Sequence, residues 1–275
     1  MKFNELVIRL EQIGVDDARS EAQLILEHLF GVRPSDILLK RENEYDSDQI
    51  EQLLKKREEK IPLQYIFGKW YFMDSTFFVS PDCLIPRQDT EILVYEAIKL
   101  LKRGGSVADL CTGSGCIGIS IAKQRQDASA LVLADISEKA LDIARKNANA
   151  IIPEKSTKFA FCDVTKKLPE GKFDMITSNP PYIPNGDIEH LSDEVKKEPR
   201  LALDGGEDGL DIVRALVDKV PASLNENGYF LMEFGYDQGE QISAIMDERV
   251  KEGKYKFYKI LHDYGANPRV LVAQI

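Results

Sequence analysis

The residues Asn179-Pro180-Pro181-Tyr182 follow a short apolar run, Phe173 to Ser178. Asn and Pro favour turns, and a residue before proline is pushed toward extended geometry, so the residue types alone fit an ordinary turn. Two consecutive prolines also remove backbone donors and fix φ. The carbonyls of Asn179 and Pro180 are then acceptors in a stiff frame, and the Asn179 side chain adds another. Such a frame suits a planar –NH2 group: it takes both N–H bonds and holds the nitrogen toward an incoming electrophile. The nucleophile implied is an amide or an aromatic amine. No strong general base is required, because the nitrogen becomes very acidic as its new bond forms and can shed its proton to the acceptors or to water. Catalysis is then positioning plus electrostatics.

A second cluster lies upstream. Gly113-Ser114-Gly115-Cys116-Ile117-Gly118 fits G-x-G-x-x-G, between an apolar run and a helical pattern. Glycines there allow a tight turn and close backbone approach to a ligand at a helix N-terminus. Asp135 ends the next apolar run, 20 residues beyond Gly115, the spacing at which a carboxylate reaches ribose hydroxyls. NAD and S-adenosylmethionine both offer that diol. Asp109 would repel a pyrophosphate but suits an ammonium group, directly or through water. Asp163 could accept a hydrogen bond from an adenine amino group, or serve only as a turn cap. Tyr182 can lend its ring face to a sulfonium, worth roughly 0.5–2 kcal/mol.

The elements that must position these residues are legible in the periodicity. Leu6, Leu10 and Ile13 recur at helical spacing before Gly14, and Ala22, Ile25, Leu26 and Leu29 before Gly31. Pro34 and Ser35 open a short helix containing Ile37, and Asp46 or Ser47 caps a fourth with Ile50, Leu53 and Leu54, which together predict a small bundle. Lys69 to Ser80 is aromatic and β-rich, broken at Met73-Asp74-Ser75, and reads as a hairpin. Its aromatics read as inter-domain core. Beyond Glu91, strands at 106–111, 130–135, 159–161, 173–177, 229–234, 255–261 and 270–273 alternate with helices such as 116–124 and one capped by Ser137. That order predicts an α/β fold, a doubly wound and mostly parallel sheet with its ligands beyond the carboxyl ends of the strands. The expected domains are a helical bundle at 1–62, a hairpin linker at 63–84 and a catalytic domain at 85–275.

Composition narrows the function classes. The 275 residues are 43% hydrophobic and 30% charged, with no apolar run of roughly 18 residues to span a bilayer and no signal-peptide pattern at the start. The net charge of −10 is spread over both halves, so there is no basic footprint for phosphate backbones and stable nucleic-acid binding is disfavoured. Cys83, Cys111, Cys116 and Cys162 make neither a disulfide framework nor a C-x-x-C pair, which fits reduced thiols in a cytoplasm, and no metal site is expected. His28, His190 and His262 read as packing or surface residues, and Arg87 with Glu91 as either a local i,i+4 pair or cavity lining.

Asp109-Leu110-Cys111-Thr112-Gly113-Ser114-Gly115 followed by Asn179-Pro180-Pro181-Tyr182 resembles a class I S-adenosylmethionine-dependent N-methyltransferase, Rossmann-like in fold. Ile85-Pro86-Arg87-Gln88-Asp89-Thr90-Glu91, Glu198 through Gly206 and Asp208-Gly209-Leu210 narrow the resemblance to the HemK family, which methylates the glutamine side-chain nitrogen in the Gly-Gly-Gln motif of peptide chain release factors. The resemblance implies S-adenosylmethionine as cofactor, held by Thr112, Gly113, Ser114, Gly115 and Asp135 with Val164 beside the adenine. It also implies that Asn179, Pro180, Pro181 and Tyr182 grip the glutamine, and that the N-terminal bundle helps a monomeric enzyme dock the release factor. Cys111 and Gln88 stand where the family commonly has Gly and Pro. The alternative is an amino-methyltransferase acting on adenine or cytosine in nucleic acid, since the same tetrapeptide can clamp a flipped base.

Overall fold

The computed structural model describes residues 1–275, which divide into two compact units, Met1–Phe67 and Gly68–Ile275. The first holds α1 (Phe3–Gln12), α2 (Ala18–Phe30), α3 (Ile37–Lys40), α4 (Ser47–Glu58) and α5 (Leu63–Phe67). Local chemistry sets their ends. Asp17 accepts from the Ser20 amide and Asp46 from those of Asp48 and Gln49, while Gly31 ends α2 in the left-handed conformation at φ 64°, as caps and C-terminal glycines do. Phe3, Leu6, Leu10, Ile25, Leu26, Ile50 and Leu54 form the core. One charge is taken inside: Arg57 donates to both oxygens of Glu21 and to the Ile61 carbonyl. Residues 63–67, which the sequence assigns to the linker, are instead a turn of helix in this unit. Leu63 is buried in its core, and Ile66 and Phe67 pack against it.

The second unit opens with a hairpin, β1 (Lys69–Phe72) and β2 (Ser75–Phe78). Its Phe72 and Phe77 are buried in this unit's own core, which corrects the inter-domain placement expected for them. Next come α6 (Thr90–Leu100), β3 (Ser106–Leu110), α7 (Cys116–Gln124), β4 (Ala130–Asp135), α8 (Glu138–Ile151), β5 (Thr157–Phe161) and β6 (Phe173–Ser178). The chain ends with α9 (Asp211–Ser223), β7 (Leu224–Glu233), α10 (Gly239–Lys251), β8 (Phe257–His262) and β9 (Pro268–Gln274). The seven-stranded sheet runs β5-β4-β3-β6-β7-β9-β8. The first five strands are parallel, and β9 is antiparallel to both its neighbours.

Alternation along the strands feeds two cores. Val107, Leu131, Leu133 and Met175 face one layer with residues of α6, α7 and α8, while Ala108, Val132, Ala134 and Ile176 face the other with α9 and α10. Strands buried on both faces read as the near-continuous apolar runs seen in the sequence. Because strand order reverses between β3 and β6, the loops after these two strands diverge and leave a crevice beyond their carboxyl ends.

Candidate active site

The crevice holds a cavity of about 350 Å³, lined by residues from five strand-end loops. The loop after β3 is the tightest. Cys111, Gly113 and Gly115 all have positive φ (53°, 54° and 82°), and Gly115 is the N-cap of α7. A Cβ on Gly118 would lie 2.6 Å from Leu133 Cδ2, so this glycine lets α7 sit directly on the sheet.

Asp109 anchors this loop from beneath. It is fully buried and accepts from the Thr112 hydroxyl at 2.5 Å, the Thr177 hydroxyl at 2.8 Å and the Gly118 amide at 3.2 Å. Burial pushes its carboxyl up to about 6, against the pull of those donors. Its carboxylate does not itself line the cavity. Thr112, Gly113 and Ser114 do line it. The Ser114 hydroxyl is buried with no oxygen or nitrogen partner in the chain, an orphan that a bound polar group would satisfy.

On the adjoining wall, Asp135 ends β4 and accepts the amides of Gly113 and Ser137, both at 2.9 Å. Burial raises its carboxyl. Each oxygen keeps lone pairs toward the cavity it lines, enough for a diol. Asp163 lines the cavity too, yet caps its own turn: it accepts from the Thr165 amide and hydroxyl and pairs with Lys166 at 3.0 Å. The Thr165 hydroxyl and Lys166 hold its carboxyl below the usual range. Val164 and Ile136 add apolar surface, and all four cysteines of the chain contribute to the lining. Burial raises every one of these thiols, Cys83 to about 11, so they are neutral and soft rather than nucleophilic. A cavity with an apolar slot, a carboxylate at a strand end and a glycine loop at a helix N-terminus fits a nucleoside bearing a polar tail.

The tetrapeptide after β6 closes the third side. Asn179 and Pro181 line the cavity, whereas Pro180 and Tyr182 do not. Tyr182 turns its hydroxyl to Glu233 Oε1 at 3.2 Å rather than offering its ring to the cavity. Its own carbonyl is held by the Gln238 amide at 2.9 Å, and a Cβ on Gly209 would lie 2.3 Å from it, so only glycine allows that approach. The Asn179 amide donates to the Thr90 hydroxyl at 3.3 Å, which donates to Glu233 Oε2 at 2.5 Å. Burial raises the Glu233 carboxyl, opposed by these hydroxyls and by nearby Arg269.

Two supports connect distant stretches of sequence. Glu198 accepts the Ile85 amide at 3.0 Å and pairs with Arg87. Arg87 therefore lines the cavity through a long-range pair and not a local one with Glu91, which instead accepts the Met73 amide. Asn147, fully buried, bonds the Phe78 amide and carbonyl and the Ser114 carbonyl. Glu233 carries the same signal as Asp109 and Asp135, an acid ending an apolar run; Asn147 carries none, because a buried Asn looks like any polar residue on a helix.

The Methyltransferase small domain model matches residues 88–252 and the PrmC N-terminal domain model residues 3–68. Release factor glutamine methyltransferases from Geobacter sulfurreducens (37% identical, covering 86% of this chain and 84% of that one) and Moorella thermoacetica (35%, 98% and 96%) align along it. The chain belongs to the release factor glutamine methyltransferase family. Other members include one from Aquifex aeolicus, 30% identical over 100% of this chain and 96% of its own. Solved structures share the fold. Among them are a methyltransferase from Pyrococcus furiosus (TM-score 0.50, 17% identity, covering 84% of this chain and 98% of that one) and a methyltransferase complexed with SAH (0.54, 13%, 76% and 56%). The fold is that of the class I methyltransferases.

Proposed function

We propose that this chain transfers a methyl group from S-adenosylmethionine to the side-chain nitrogen of the glutamine in the Gly-Gly-Gln motif of peptide chain release factors. The observation that carries the reading is that Asn179 lines the same cavity as Asp135 and the glycine loop, which puts an amide-holding frame against a nucleoside slot. Membership of the family supports the acceptor. The bound cofactor supplies an electrophilic methyl group on a sulfonium. Asp135 would hold the ribose diol, the unpartnered Ser114 hydroxyl would take the polar tail, and Val164 and Ile136 would pack the adenine beside Asp163.

Asn179 Oδ1 and the Asn179 and Pro180 carbonyls accept the glutamine N–H bonds and aim the nitrogen at the methyl carbon. The nitrogen would accept the methyl group that the cofactor supplies, the C–S bonding pair staying with sulfur as a neutral thioether, and these acceptors or water would take the proton it sheds. Catalysis consists of holding two groups in line and stabilising the developing N–H polarity. The N-terminal unit docks the release factor, and the enzyme works as a cytoplasmic monomer. The nucleic-acid alternative is not favoured, given relatives named for release factors and a net charge of −10. In a labelled-methyl transfer assay read by peptide mass spectrometry, Asn179→Ala is expected to lower turnover by about 10²–10³ with cofactor binding retained. Wild-type turnover in that variant overturns the role.

A further inference from the structure

The geometry points to Thr90 and Glu233 as positioning residues: the buried carboxylate of Glu233, acting through the Thr90 hydroxyl, fixes which end of the Asn179 amide faces the acceptor nitrogen. For the identity of that acceptor this rests on the function proposed above.

The Thr90 hydroxyl donates its single proton to Glu233 Oε2 at 2.5 Å. Its oxygen is left with lone pairs alone. The Asn179 side chain, 3.3 Å away, must therefore meet it with NH2, which turns the Asn179 carbonyl to the other side, where an incoming –NH2 needs an acceptor. With the amide reversed, N–H would face N–H and the frame would repel the group it has to hold. The second Glu233 oxygen accepts from Tyr182, so one carboxylate restrains both ends of the tetrapeptide.

Stability alone does not account for this arrangement. Glu233 is 1% exposed and Thr90 2%, and burying a carboxylate is unfavourable where an apolar side chain of similar size would pack. The cation nearest in influence, Arg269, is paired with Asp263 at 3.1 Å and Asp89 at 3.5 Å. What the buried acid provides is a proton acceptor of fixed polarity behind Asn179.

Thr90→Val keeps the shape and removes the hydroxyl, and Thr90→Ser restores it. Thr90→Val is expected to lower kcat for methyl transfer to a purified release factor about 10–100-fold, the scale for losing an orienting partner, while the calorimetric Kd for S-adenosylmethionine stays within about twofold. Thr90→Ser should recover most of the loss. Glu233→Gln, which can donate to Thr90 and so free its hydroxyl to turn to Asn179, should lower kcat on the same scale.

An activity-independent readout comes from the Asn179 side-chain NH2 resonances, assigned by their loss in Asn179→Ala. Slow solvent exchange should be present in wild type and Thr90→Ser and lost in Thr90→Val, with circular dichroism confirming that each variant folds. Thr90→Val with kcat within twofold of wild type and unchanged NH2 protection overturns the inference, as does failure of Thr90→Ser to rescue. If the wild type methylates no release factor, the acceptor assignment fails, and the NH2 exchange pattern alone decides the positioning role.

Discussion

Cys111 stands in the left-handed region at φ 53°, where a side chain costs about 1–2 kcal/mol relative to glycine. Glycine is the residue such a backbone favours. Sulfur packing against the neighbouring apolar core offsets part of the strain. Cys111→Gly is therefore expected to be at least as stable as wild type. Cys111→Val, β-branched and poorly tolerated at positive φ, should lose about 1–2 kcal/mol. Urea midpoints of the two variants check the order, and a Val variant as stable as the Gly variant would remove strain as the explanation.

Between elements, Asn147 is the fastening that ties β2 to α8 and to the glycine loop. Asn147→Ala leaves the Phe78 amide, the Phe78 carbonyl and the Ser114 carbonyl without partners in a buried site, and should cost about 2–4 kcal/mol. Hydrogen exchange at the Phe78 amide should accelerate in the same variant; unchanged protection there would mean that the hairpin is held by Phe72 and Phe77 alone. These contacts also mark the limit of what the sequence reveals. Apolar periodicity and caps disclose the helices, the parallel strands and the two loops that face each other across the cavity, because each signal is local. The pairing of Glu198 with Arg87, and of Glu233 with Thr90 and Tyr182, spans 111, 143 and 51 residues, and no local pattern encodes a partner that far away. Asp109 shows the same limit: a strand-end acid looks alike whether it faces a ligand or holds the underside of its own loop.

At the scale of the whole molecule, two of its acids act in opposite directions with pH. Asp174 ties β3, β6 and β7 by accepting from the Ser106 amide and hydroxyl and the Asn225 amide, and it pairs with Lys102. Those partners hold it at about 2 against an ordinary value of 3.8, so its contribution is present above about pH 4 and lost as pH falls toward 2. Asp109, raised to about 6, has the reverse sign: the folded state holds its proton more tightly, and stability falls as pH rises from about 4 to 6. Stability is expected to peak in mild acid, and Asp109→Asn should flatten the decline between pH 4 and 6, by an amount on the order of 1–2 kcal/mol. Urea midpoints across that range test it, and an Asp109→Asn curve parallel to wild type would discard the assignment. The gathering of all four cysteines around one cavity has a practical meaning as well. The protein carries its own occupancy gauge: these thiols line the cavity, so a ligand bound there must shield them from an alkylating reagent and slow the reaction by the factor 1 + [L]/Kd. Counting modified thiols against time, with S-adenosylmethionine added in steps, would measure its affinity with no label introduced, and a rate indifferent to the ligand would place its binding elsewhere.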